Sequence, residues 1–340
     1  MKKILGVLLC VTMMLTLFVG CGNNTSADTG ASAADAGSDN TAAQSGEKHI
    51  KVVLKTLASE YWAYVAKGCE QAGKDLNVTV DVLGASSETA YDEQINMIET
   101  TLSSGECDAL VIAPLQSDSV ATQIANVDLP VIAIDTNVES DKVLSFVGFD
   151  NEQMAAMGGK AAVEAAKEAG WTKIEAIGIA GVQGDSTSES RMAGYRKGIE
   201  ESGGTYLADE TQYADGVSDK AVAAMEAIVQ THPEGIAIIV ANNDDMAVGA
   251  ARAAASYPAY QNTIFLGCGG NVAALDAIIQ GNETMTVAVD GYDVGYLGVK
   301  AAVEALDGEE LEKFIASEAT IVTVDNAEEH KASVEKKQNG

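Results

Sequence analysis

The sequence predicts an α/β fold of two lobes, each a parallel sheet flanked by helices. Two observations carry that expectation. From Lys51 to Val324, short apolar runs alternate with segments of helical periodicity, and this βαβ rhythm builds parallel sheets covered on both faces. The alternating stretch is also too long for one doubly wound sheet of ordinary size.

The chain begins with Lys2 and Lys3, followed by an uncharged run from Ile4 to Val19. That is the pattern of a signal-peptide apolar region, slightly short for a bilayer span. It ends in FVGC, with Gly20 before Cys21, and looks like a lipobox whose Cys21 is lipidated and becomes the new N-terminus. Phe18 replaces the usual Leu, and Cys10 inside the apolar run is a poor alternative; a cleaved, freely secreted protein is the other reading. Residues 22–48 contain little to bury, cannot offset their own ordering entropy, and are expected to form a flexible tether. Together these features predict an extracytoplasmic domain held to the cell membrane by Cys21.

Expected strands are Lys51–Leu54, Val78–Leu83, Ala109–Ala113, Val131–Ile134 and Leu144–Gly148, then Lys173–Ile179, Ile236–Ala241, Ile264–Gly267, Met285–Val289 and Ile321–Val324. Behind the first strand, Ala63, Val65, Ala66, Cys69 and Ala72 recur at helical spacing as a core-facing stripe. Further helices are expected over Thr89–Ser103, Asn151–Ala169, Ser188–Glu201, Ser218–Thr231, Met246–Ser256, Val272–Gln280 and Val294–Leu306.

The net charge of −29 weighs against nucleic-acid or anionic-lipid partners. Cys69, Cys107 and Cys268 have no metal-type spacing, and Cys69 and Cys107 are read as buried thiols rather than a disulfide. His49, His232 and His330 lie far apart, and no metalloprotease, calcium-loop or phosphate-loop motif occurs. GIAGVQG at Gly178 to Gly184 lacks the spacing of a dinucleotide loop. Ser186, Ser188 and Ser190 lack a nucleophile elbow. Neither catalysis nor a metal or cofactor is expected.

A binding constellation is better supported. In open α/β sheets, ligands occupy the crevice at the carboxyl ends of the strands. The join from Lys55 to Trp62 sits at such an end and carries Lys55, Ser59, Tyr61 and Trp62. Adjacent aromatic rings cover the C–H faces of a small polar ring while charged groups bond its hydroxyls; the other reading makes Tyr61 and Trp62 core anchors of the first helix. Asp135 follows Val131–Ile134, where a carboxylate can accept hydroxyl hydrogens or act as an ordinary cap. Arg191 falls on the first turn of its expected helix, where a cation opposes the dipole, and is either a ligand contact or a surface arginine. In ANNDDMAVGA, Asp244 or Asp245 is read as the helix cap, leaving Asn243 to offer donor and acceptor together.

VVLKTL with its aromatic pair, then VDVLGASSE, VIAPL and NNDDMAVGA, resembles the ribose- and D-allose-binding proteins of sugar ABC transporters, from about Lys51 to Asp325. The resemblance implies the type 1 periplasmic binding protein fold with a three-segment hinge, crossing near Phe149–Asp150, Val289–Asp290 and Glu318–Thr320. It divides the chain into a first lobe of residues 49–149 plus 290–319, a second of 150–289 plus 320–330, and a tail of 331–340. It also implies ligand contacts at Lys55, Ser59, Tyr61, Trp62, Asp135, Arg191 and Asn243. Trp62 and Arg191 are expected to clamp the ligand from opposite lobes and to be partly open to solvent without it. Gly269 and Val289 replace the family's usual Asp and Gln, Asp290 stands beside the second, and Ser59 is shorter than the usual Asn. The chain therefore reads as a lipid-anchored solute-binding protein that serves an ABC permease and ATPase. Its ligand is a small sugar, or a furanose, deoxy sugar or autoinducer-2-like signal that fits the missing groups; a sensor partner is the alternative output.

Overall fold

The computed structural model describes residues 48–339, so Cys21, the signal segment and nearly all of the expected tether lie outside the described residues. Strand β1 (His49–Leu54) is followed by α1 (Glu60–Leu76), β2 (Thr79–Gly84), α2 (Tyr91–Ser104), β3 (Ala109–Ile112), α3 (Ser117–Ile124), β4 (Val131–Ile134) and β5 (Val143–Gly148). Next come α4 (Asn151–Glu168), β6 (Glu175–Ala180), α5 (Ser186–Glu201), β7 (Thr205–Tyr206), β8 (Gln212–Tyr213) and α6 (Ser218–Thr231). They are followed by β9 (Ile238–Ala241), α7 (Asp244–Ala254), β10 (Ile264–Gly269), α8 (Val272–Ile279) and β11 (Met285–Val289). The chain closes with α9 (Gly291–Leu306), β12 (Phe314–Ala316), β13 (Ala319–Val322) and α10 (Ala327–Asn339).

These strands form two sheets. The first has the order β12-β5-β4-β3-β1-β2 and is parallel throughout, with Val52 opposite Val82 on one side and Val111 on the other. The second has the order β13-β11-β10-β9-β6-β7, with β8 also on β6; only β13 runs antiparallel. Every residue of β3, β4 and β9 is buried, as expected where helices cover both faces of a parallel sheet. The chain passes between the sheets after β5, after β11 and between β12 and β13.

The order of each sheet fixes its crevice. In the first, β2 and β3 flank β1, so the connections depart in opposite directions and leave a gap at its carboxyl end. In the second, β6 holds the same place between β7 and β9. The loops after β1 and β6 thus lie at topological switch points.

Glycine lets the crossing helices seat closely. Helix α9 packs along α1, where a Cβ on Gly68 would collide with the carbonyl oxygen of Tyr292, and one on Gly295 with that of Val65.

Several elements depart from the sequence expectation. Residues 327–339 form α10 rather than ending in a tail, with Ala327 and Val334 packed on Leu275 and Ile278 of α8. Strand β13 begins two residues before the expected Ile321, and Val324 is exposed. Helix α3, β12 and the two-residue strands β7 and β8 are too short to carry a periodic signal. Helices α5, α7 and α9 begin before their first apolar residues, directly after the caps Asp185, Asn243 and Asp290. Cys107 is half-buried rather than buried, while Cys69 and Cys268 are buried, and all three are free thiols.

Gly68→Ala should lower unfolding stability by about 1–3 kcal/mol, because the added methyl meets backbone rather than a yielding side chain. A shift in urea midpoint at constant slope measures it; an unchanged midpoint would show that the helix pair can separate at little cost.

Candidate functional site

A cavity between the carboxyl ends of the two sheets is lined by Lys55, Ser59, Tyr61, Trp62, Asp135, Arg191 and Asn243, the residues that the resemblance implied. It also includes Glu88, Asp185, Asn242, Asp244, Asp245 and Asn271. Its free space of about 40 Å³ is room for a few waters, so the side chains themselves fill most of the crevice.

Lys55 extends from β1 and donates to Asp185 Oδ2 at 2.5 Å, joining one lobe to the other. Their side chains are only 4% and 10% exposed. Burial pulls the Lys55 pKa down, but the carboxylates of Asp185, Glu88 and Asp135 outweigh it and hold the ammonium above its ordinary value. Asp185 also caps α5 through Ser188 N at 2.7 Å. Further contacts span the lobes. The hydroxyls of Thr136 and Thr187 lie 2.7 Å apart, and Glu60 accepts from Val272 N at 2.9 Å at the start of α8.

With the lobes in contact, Trp62 is 3% exposed and Arg191 6%. Trp62 belongs to the main core cluster, packs edge-on against Tyr61, and donates through Nε1 to Glu88 Oε1 at 2.9 Å. It is at once a core anchor and a wall of the cavity. Arg191 lies in the second turn of α5, because that helix starts at Ser186; the first-turn dipole argument is therefore void. What holds it is bonding, from Nε to Asn151 Oδ1 at 2.9 Å and from Nη1 to the Asn242 carbonyl at 3.0 Å.

Asp135 is buried in the left-handed region at φ 59°, which Asp tolerates better than most residues. It accepts from the Tyr61 hydroxyl at 3.2 Å. Burial raises its pKa, and Arg191 and Lys55 work against that rise. Burial likewise raises Glu88, opposed by Lys55 and the Trp62 indole N–H.

At the start of α7 the expected roles are exchanged. Asn243 is the cap, accepting from Met246 N at 2.9 Å and donating to the Gly216 carbonyl at 3.0 Å. Both ends of its amide are thus engaged within the protein. Asp244 is no cap; it accepts from Gly270 N, Asn271 N and Thr286 Oγ1 at 2.6, 3.0 and 2.6 Å. Its Oδ2 would lie 2.9 Å from a Cβ on Gly269, so the carboxylate missing from position 269 has a neighbour arriving from α7.

Asp290 is outside this cavity. It caps α9 through Asp293 N and pairs with Lys337 of α10, which turns its carboxylate toward the crossing instead of the crevice. Val289 does line the cavity. Glu88, Asp185 and Asn271 escaped the sequence reading although each follows a strand end, and that position was the available signal. Among the described residues there is no cluster of three or more His, Cys, Asp or Glu able to hold a metal, and no helix long and apolar enough to cross a membrane.

Residues 50–310 match the family described as periplasmic binding protein domain. The chain belongs to that family. It is 30% identical over 264 residues to the D-allose-binding periplasmic protein of Escherichia coli K12, covering 75% of this chain and 83% of that one. It is 29% identical over 283 residues to the ribose import binding protein of Bacillus subtilis 168, covering 81% and 87%. Among solved structures, it resembles a carbohydrate transporter solute-binding protein from Agrobacterium radiobacter in complex with D-arabinose. That match has TM-score 0.78 and 27% identity, and covers 86% of this chain and 99% of that one. With these relatives, the two sheets and three passages of the chain between them are the type 1 periplasmic binding protein fold.

Beneath the cavity, Glu283 is 4% exposed and neither carboxyl oxygen has a hydrogen-bond partner. A Cβ on Gly267 would lie 2.5 Å from Asp244 Oδ1 and 2.7 Å from Glu283 Oε1, which places the two carboxyls as neighbours. Burial raises Asp244 to about 6, and burial with the Asp244 charge lifts Glu283 well above the carboxylate range. Both values exceed those of the unfolded chain, so the fold retains protons that the unfolded chain releases. Their contribution to stability is full below the ordinary carboxyl range and is lost as pH rises through about 6 for Asp244 and higher for Glu283. Glu283→Gln should raise stability at pH 8 by about 1–3 kcal/mol and by much less at pH 4. Urea melts at the two pH values check this; a gain independent of pH would mean that ionisation of Glu283 is not the cost.

Proposed function

We propose that this chain is the extracytoplasmic solute-binding lipoprotein of a sugar ABC importer, holding one small monosaccharide-like ligand between two lobes that close on it. The observation that carries the proposal is the cavity itself, where aromatic rings and charged side chains from both switch points meet in a chain of this family. An indole and a phenol offer ring faces and edges, while carboxylates and a guanidinium offer the acceptors and donors that hydroxyl groups need. The curated relatives are named for allose and ribose, and the Agrobacterium structure holds D-arabinose. No reacting group is required of such a site; the output is a change of shape delivered to a permease and its ATPase.

A ligand enters as the lobes part and the Lys55–Asp185 and Thr136–Thr187 contacts open. The moving bodies are then residues 49–149 with 290–319, and 150–289 with 320 onward. Lipidation at Cys21 would tether this device above the membrane through residues 22–48.

Calorimetry with D-ribose, D-allose, D-arabinose and D-xylose should find at least one tight ligand, recovered unchanged. Arg191→Ala should weaken it by about 30- to 1000-fold. Small-angle scattering should show a smaller radius with that ligand than without it. Failure of every sugar to bind would overturn the reading, and binding without compaction would remove the hinge from it. For the anchor, Cys21→Ala expressed in the native host should leave the membrane fraction; retention with an uncleaved mass would exclude lipidation.

A further inference from the structure

We infer that the crevice selects its ligand by charge, accepting small polyols that are neutral or carry an amine and rejecting their acid counterparts, with Glu88 a residue that sets this selection. The inference rests on the sugar-binding proposal above and narrows it.

The cavity walls carry five carboxylates, on Glu88, Asp135, Asp185, Asp244 and Asp245, against two cations, Lys55 and Arg191. Those cations are partly engaged. Lys55 is bonded to Asp185, and Arg191 directs Nε and Nη1 to Asn151 and the Asn242 carbonyl. Asp244 already accepts three hydrogen bonds from the protein. Guanidinium N–H groups of Arg191 remain for a ligand, but the open acceptor sites outnumber them. Glu88 uses Oε1 for the Trp62 indole and Asp135 uses Oδ2 for Tyr61, while the Asn242 side-chain oxygen is buried with no partner at all.

Glu88 is the carboxylate best placed to discriminate. It reaches the cavity from the loop after β2, and its Oε2 would lie 3.3 Å from a Cβ on Gly216 of the opposite lobe. That free oxygen therefore faces across the crevice. Burial raises Glu88, Asp135 and Asp245 from their ordinary values, and Lys55 and Arg191 offset that rise only in part for the first two. Hydroxyl hydrogens and ammonium groups satisfy such acceptors. A ligand carboxylate or phosphate adds like charge at short range in a site that excludes most water, a repulsion that screening by salt relieves little.

The test uses whichever of D-ribose, D-allose, D-arabinose and D-xylose binds most tightly, beside its amino-deoxy counterpart and its carboxylate counterpart, by calorimetry at pH 7.5. The acid should bind at least about 100-fold more weakly than the neutral sugar, and the amine no more weakly than the neutral sugar. Glu88→Gln should reduce the neutral-to-acid affinity ratio by about tenfold, and Asp245→Asn, as a second variant, should reduce it in the same direction. An acid bound within tenfold of the neutral sugar, or a ratio unmoved by both substitutions, overturns the charge selection while leaving sugar binding in place. If the acid alone binds, charge selection is reversed and falls. If no member of the panel binds, the sugar proposal itself falls.

Discussion

The ion pair between Lys55 and Asp185 is the contact on which the arrangement of the crevice depends. Each residue follows the switch-point strand of its own sheet, β1 or β6, where neighbouring connections diverge and leave a gap. The pair therefore connects the two switch points directly. Both side chains are nearly excluded from water, and a pair so buried stabilises little by itself, because desolvation offsets attraction. Its effect is geometric: the charges must meet or be left bare, and meeting fixes how the lobes face each other.

Helix caps form much of the cavity wall. Ser59, Asp185, Asn243 and Asn271 cap α1, α5, α7 and α8, and all four line it. A parallel sheet explains the coincidence. Each strand ends at the same edge, each following helix starts there, and each start needs an oxygen for its unpaired N–H groups. The same residues are consequently partly spent before a ligand arrives. Asn243 has neither amide end free, whereas the flanking Asn242 keeps an unbonded side-chain oxygen.

Trp62 shows how support and recognition merge in one side chain. It packs in the core that holds α1 to its sheet, and its indole N–H fixes Glu88 at the cavity wall. Beneath the opposite wall, Asp244 ties the turn after β10 to β11 through backbone amides and Thr286. With Glu283 behind it, that region concentrates buried carboxyls, and the local fold is held by hydrogen bonds at the expense of pH tolerance.

The sequence by itself determined the alternation of strands and helices, the need for two sheets, and the crevice-facing positions of Lys55, Tyr61, Trp62 and Asp135, because a strand end in a parallel sheet is a local property. The quoted motifs added Arg191 and Asn243 to the same wall. Tertiary structure alone decided what each group is bonded to. The expected starts of α5, α7 and α9 fell two or three residues late, which put Arg191 in a first turn and gave the α7 cap to Asp244 or Asp245 instead of Asn243, while Asp290, offered by the resemblance, caps α9 outside the cavity. Capping is a competition between adjacent polar residues, settled by backbone direction rather than composition. Asp185 and Glu88 escaped for a related reason. Their partners Lys55 and Trp62 are 130 and 26 residues away in the chain, and only folding brings those charges together.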